Sequence, residues 1–177
     1  MKLEQTLYTF KAADAMPGAW RYYLKTCGLE EKPDSPKHAR MLARSTAVLD
    51  TVLPQLNLRA VTAELPGNCL DGETLDAYGT RFVCRAFARL TPSRVRAVYP
   101  YVLTAGDIFM DTENVSDQLF ADIWGTSFTD AGIELLEGRL EKLNPGFTLS
   151  SSFGPGFFGM DISMMRRFFE ALDPGAI

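Results

Sequence analysis

The sequence predicts an α+β domain. Helical periodicity dominates two long segments near 36–56 and 117–143, short strand-like runs lie between and before them, and the two kinds of element follow no regular βαβ rhythm. At 177 residues the chain has the length of one domain built on one core. No linker, repeat or low-complexity stretch divides it.

Thr6 to Phe10 alternates as a first strand. Pro17 at a helix start, followed by Ala19-Trp20-Arg21-Tyr22-Tyr23-Leu24-Lys25, predicts a helix closed by Gly28. Ser35 before Pro36 pairs a side-chain cap with a residue already restricted to helical φ. From there Ala39, Leu42, Ala43, Thr46, Leu49, Leu53 and Leu56 form an apolar stripe with arginines to its side. Leu58 to Leu65 predicts a strand, Asp71-Gly72-Glu73 a hairpin turn, and Gly79 to Leu90 a helix on the spacing of Phe82, Ala86 and Leu90. Arg94 to Ala105 is a valine- and tyrosine-rich strand ending at Gly106, with Pro100 marking an edge or bulge.

Ser116 is the expected cap of the longest helix, whose buried face runs from Phe120 through Trp124, Phe128 and Leu140 to Leu143, before Pro145-Gly146 ends it. Asp161 then caps a last helix, with Ile162, Met165, Phe168, Phe169 and Leu172 on its buried side. Between these helices lies Ser150 to Gly159, in which three glycines and a proline are woven through three phenylalanines. Glycine opens backbone conformations and close approaches closed to other residues, and proline fixes φ, so this connector is shaped. Composition alone favours a tight turn with its phenylalanines in the core; the alternative is a loop that holds a ligand against aromatic rings.

The composition excludes much. A net charge of -4 and a pI near 5.1 argue against a general nucleic-acid binder, which needs a basic face. Lys37-His38-Ala39-Arg40 with Arg44 is a local basic run, best read as a solvated helix face. Cys27, Cys69 and Cys84 are odd in number and share no CxxC spacing, which fits reduced thiols in the cytoplasm. The N-terminus has no signal-peptide pattern and no window approaches the ~20 apolar residues of a membrane span, so a non-membrane protein is expected.

His38 is the single histidine, which rules out multi-histidine metal sites; no GxSxG elbow, GxGxxG or GxxxxGK[ST] occurs, so neither a hydrolytic triad nor the usual nucleotide cradles are present. Asp107 with Asp111, and Asp117 with Asp122, read as exposed caps and helix charges. No catalytic residue and no metal ligand is assigned.

Three stretches in order resemble the reactivation domain of cobalamin-dependent methionine synthase, and more closely its small stand-alone relatives. They are Trp20 to Gly28 with Pro33-Asp34; Tyr101 to Gly106 leading to Asp117 to Ser127; and Phe153-Gly154-Pro155-Gly156-Phe157 with the helix to Leu172 and Asp173-Pro174-Gly175. The resemblance implies one domain over 1–177, a twisted antiparallel sheet flanked by helices, without the family's C-terminal tail. It implies an accessory or reactivation protein of a corrinoid-dependent methyl-transfer system, docking to a corrinoid protein or corrinoid methyltransferase that carries the cofactor, and able to bind S-adenosylmethionine.

Carried over by residue, Gly154, Pro155, Gly156 and Phe157 stand in the family's Pro-Gly-aromatic loop, and Asp130 stands where the synthase has a glutamate facing the ligand's charged groups. Two positions depart. Ser152 replaces an arginine suited to grip the ligand's carboxylate, and Phe157 replaces a tyrosine. The chain lacks the Asp-x-His-x-x-Gly element that ligates cobalt, so it is not itself a cobalamin carrier. The alternatives are a stand-alone S-adenosylmethionine-dependent methyltransferase-like enzyme and a non-catalytic interaction module.

Overall fold

A computed structural model describes residues 3–173, 175 and 177. Met1 and Lys2 of the N-terminal reading, and Pro174 of the resemblance, lie outside the described residues.

Strand β1 (Thr6–Phe10) leads into α1 (Ala12–Cys27). The helix begins at Ala12 rather than at Pro17: the good helix formers Ala12, Ala13 and Ala15, with Asp14 complementing the helix dipole, start it earlier, and Pro17 removes one rung. Gly28 ends it in the left-handed conformation, φ 61°, its N–H donating to the carbonyls of Leu24 and Lys25. Helix α2 (Pro36–Val52) starts as expected, with Ser35 Oγ accepting from the His38 N–H at 3.2 Å.

Short strands follow: β2 (Leu58–Thr62), β3 (Leu65–Pro66), β4 (Leu70–Asp71), β5 (Thr74–Ala77) and β6 (Thr80–Val83). The helix expected over 79–90 is instead strand β6 and a 3₁₀ segment, Arg85–Arg89. Tyr78 and Gly79 both take positive φ, 51° and 99°, and turn the chain in two residues so that Ala77 faces Thr80. Asp76 Oδ1 accepts from the Gly79 N–H at 2.8 Å and holds this hairpin. The spacing of Phe82 and Ala86 imitates a helix only because the chain changes structure between them.

The valine-tyrosine stretch is two strands, β7 (Ala97–Val98) and β8 (Tyr101–Thr104), broken at Pro100. The Pro100 carbonyl accepts from the Ala63 N–H at 3.2 Å and from Thr62 Oγ1 at 2.8 Å. Among the described residues the strands lie in three small groups, β1-β2-β8, antiparallel β3-β7 and antiparallel β4-β5-β6. Helix α3 (Val115–Leu143) is capped by Asn114, not Ser116, because its side-chain oxygen reaches the N–H groups of Ser116 and Asp117 at 3.0 and 3.3 Å. Asp161 caps a single 3₁₀ turn, Ile162–Met164, that continues as α4 (Met165–Ala171).

The fold class is α+β, as the sequence predicts, but the buried residues form two clusters rather than one. Each belongs to its own compact unit. One unit comprises 8–59 and 103–147, where α1 and α2 pack on α3. Its centre is Trp124, fully buried, stacked on Tyr23 with ring centroids 3.8 Å apart and donating to the Ser45 carbonyl at 3.0 Å. Gly18 lets α1 come close to α3, since a Cβ there would lie 3.1 Å from that of Ala131. The other unit comprises the residues up to Leu7, 60–102 and those from Thr148 onward. It buries Leu65, Leu75, Phe82, Phe87 and Leu172, with Phe168 of α4 against Phe82 at 4.7 Å.

Candidate functional site

The Gly-Pro-aromatic connector is a built turn. Its N–H groups are satisfied inside it: Phe157 donates to the Gly154 carbonyl at 3.0 Å, Gly156 to Met160 at 2.9 Å and Met160 to Phe157 at 2.9 Å. Cys84 and the first two residues of the 3₁₀ segment Arg85–Arg89 hold it from the other side. The Arg85 and Ala86 N–H groups donate to Gly159 and Phe158 at 3.5 and 3.3 Å, Cys84 Sγ lies 3.4 Å from the Phe158 carbonyl, and Cys84 bridges Met160. Phe158 is thereby kept at φ 54°, a left-handed backbone that costs a non-glycine residue on the order of 1 kcal/mol.

Of its three phenylalanines, only Phe153 packs inward, edge-on to Phe87 at 5.7 Å. Phe157 is 68% exposed and Phe158 57%, so the reading that placed these rings in the core is corrected. Five of the turn's residues spend their backbone groups on holding its shape; the Phe157 ring is left to solvent, and the Phe158 ring, though more than half exposed, meets Phe153 edge-on at 5.6 Å. The next segment extends this apolar surface. Ile162, Met165 and Phe169, expected on the buried side of the last helix, are exposed, while Phe168 and Leu172 face the core. With 3₁₀ geometry over Ile162–Met164, a helical stripe counted from Ile162 falls out of register with the short α4. Gly156 lies under Ile162, and a Cβ there would stand 3.6 Å from Ile162 Cδ1. Ser152 is half-buried at the start of the turn.

Asp130 stands in the other unit, so neither unit contains both it and the turn. It is half-buried on α3, one helical turn before Glu134, and makes no hydrogen bond or ion pair among the described residues. Burial first, and then the Glu134 charge, push its carboxyl above the usual carboxylate range. Glu134 is bound from α1: Arg21 Nη2 donates to its two oxygens at 2.6 and 2.7 Å, and the Tyr22 hydroxyl donates at 2.6 Å. The Tyr22 hydroxyl, with the Arg21 guanidinium, holds Glu134 below its usual range. No local pattern marks this group, because α1 and α3 residues more than a hundred positions apart make it.

His38 and Arg44, singled out in the sequence, are each paired with a carboxylate. His38 sits on the helix surface with Nδ1 3.1 Å from the Asp34 carboxylate, and Arg44 of the basic run is paired with Asp117 at 2.5 Å. All three cysteines are free. Among the described residues, no group of three or more histidine, cysteine, aspartate or glutamate side chains could hold a metal ion, and no helix is long and apolar enough to cross a membrane. No family model matches the chain, and no curated protein or solved structure is significantly similar to it.

Proposed function

We propose that the protein is an accessory component of a corrinoid-dependent methyl-transfer system, and that the turn at 154–159 docks onto the protein carrying the corrinoid. The observation that carries this reading is the exposure of Phe157 and Phe158 on a turn whose backbone is locked. A rigid aromatic projection buries large apolar area at little entropic cost, which suits protein contact. The resemblance to the methionine synthase reactivation domain supplies the identity of the partner. The amides of Gly156 and Phe157 are already bonded within the turn, so it offers a small ligand fewer backbone donors than a Gly-rich cradle would.

A second reading keeps S-adenosylmethionine as a ligand, because Asp130 is a half-buried carboxylate without a partner among the described residues. A sulfonium or ammonium group is the kind of charge such a carboxylate accepts. Calorimetry of the purified protein tests both. Heat with S-adenosylmethionine that Asp130→Ala abolishes supports the ligand reading. Capture of a corrinoid protein that Phe157→Ser with Phe158→Ser abolishes supports docking, and the absence of capture by the wild type refutes it.

A further inference from the structure

Charge is unevenly distributed along the chain. Residues 77–106 carry five arginines, Arg81, Arg85, Arg89, Arg94 and Arg96, and no aspartate or glutamate, whereas 107–122 carry five acidic residues and no lysine or arginine. Each stretch adjoins exposed apolar side chains. In one unit the Arg85 side chain runs along Gly159, at the edge of the turn bearing Phe157 and Phe158. In the other, Phe109, Val115 and Leu119 are exposed among Asp107, Asp111, Glu113 and Asp122.

The acidic stretch is as well built as the turn. Gln55 pairs with the Phe109 backbone in both directions, donating to its carbonyl at 2.9 Å and accepting its N–H at 2.8 Å. Ile108 lies 3.2 Å from where a Gly125 Cβ would be, so the segment doubles back along the first turns of α3. Val115, Leu119 and Asp122 follow at helical spacing on its exposed side. Asp117 is engaged by Arg44, but Asp107, Asp111, Glu113 and Asp122 form no ion pair among the described residues; nor does Arg85.

We infer that the arginine-edged aromatic turn of one molecule docks onto the acidic, apolar stretch 107–122 of a second copy. The exposed Phe157 and Phe158 meet the exposed Phe109, Val115 and Leu119, and a cationic edge meets an anionic one. Because the two surfaces differ, the contact is head-to-tail and each copy keeps one free face. The net charge of -4 works against a nucleic-acid or anionic membrane surface at the turn, whereas the complement needed here is present on the chain itself. Such self-association does not require a corrinoid partner and would compete with one for the same turn.

Sedimentation of the wild type over rising concentration tests it, at about 50 mM and about 500 mM salt, because exposed charges more than ~8 Å apart are already screened near 0.15 M. At low salt the average mass should rise above that of one copy, and high salt should reverse most of the rise. Arg85→Glu and the double variant Asp111→Lys with Glu113→Lys should each sediment as single copies. Mixed in equal amounts, they should associate again, because each retains the face the other has lost. A wild type that stays monomeric at every concentration, variants that associate like the wild type, or a mixture that stays monomeric would each overturn the inference. Circular dichroism of the variants separates loss of contact from loss of fold.

Discussion

A Cβ placed on Gly159 would stand 2.8 Å from the Cβ of Arg85 and 2.9 Å from its Cγ. The colliding atoms are the root of the arginine side chain rather than its mobile end, and Gly159 also holds φ 81°. Gly159→Ala therefore carries both a steric and a conformational cost, about 2 kcal/mol together. Gly154 has open space around its Cβ position and no positive φ, so Gly154→Ala should be nearly neutral. Urea unfolding of the two variants checks this, and equal losses would mean that the Arg85–Gly159 contact does not brace the turn.

Tyr23 is fully buried beside Ser45 and Cys27, and its hydroxyl makes no hydrogen bond of good geometry among the described residues. Burial raises its phenol well above the ordinary value. The neutral form is thus favoured by folding: stability is complete below the unfolded-chain pKa of ~10 and falls as pH rises beyond it. Tyr23→Phe loses no bond, so stability at neutral pH should change by less than ~1 kcal/mol while the alkaline loss diminishes. Denaturant titrations at neutral and strongly alkaline pH measure both. A large loss at neutral pH would show that the hydroxyl is bonded.

Asp130 has the opposite consequence at neutral pH. Its folded pKa is raised, so the stability it contributes is present below the ordinary carboxylate pKa of ~3.9 and is lost as pH rises through the folded value. Near neutrality its half-buried charge is a cost. Asp130→Asn should raise the thermal midpoint at pH 7, and the gain should shrink as the solution is acidified toward about pH 3. A lower midpoint at pH 7 would mean that the carboxylate has a favourable partner in the folded chain.

Local chemistry made much of this fold legible. Ser35-Pro36, Gly28 and Asp71-Gly72 each act within a few residues, and each does in the structure what its type dictates. The failures share a cause in what lies far along the chain. Phe82 and Ala86 matched a helical period, but Tyr78-Gly79 had already turned the chain into a hairpin, a signal weakened because tyrosine rarely adopts positive φ. Ile162, Met165 and Phe169 are apolar at helical spacing, and pattern alone cannot distinguish a core face from an exposed one when the helix is two turns long. The glycines and proline of 154–159 mark a turn by themselves. Its locking by the backbone of Arg85 and Ala86 leaves no local mark, because those partners lie some seventy residues earlier. A count of charges would have revealed the division between 77–106 and 107–122 without any structure.

The proposed role of Phe157 and Phe158 is to dock onto a corrinoid-carrying protein. Calorimetric titration of such a protein with the wild type and with Phe157→Ser plus Phe158→Ser, alongside thermal unfolding of both, tests it most directly. Expected are saturable binding by the wild type, at least tenfold weaker binding by the double variant, about 1.4 kcal/mol or more, and only a small fall in thermal midpoint, because both rings are more than half exposed and Phe158 gives up one edge-on contact with Phe153. Equal binding by the two proteins, or none by the wild type, would contradict it.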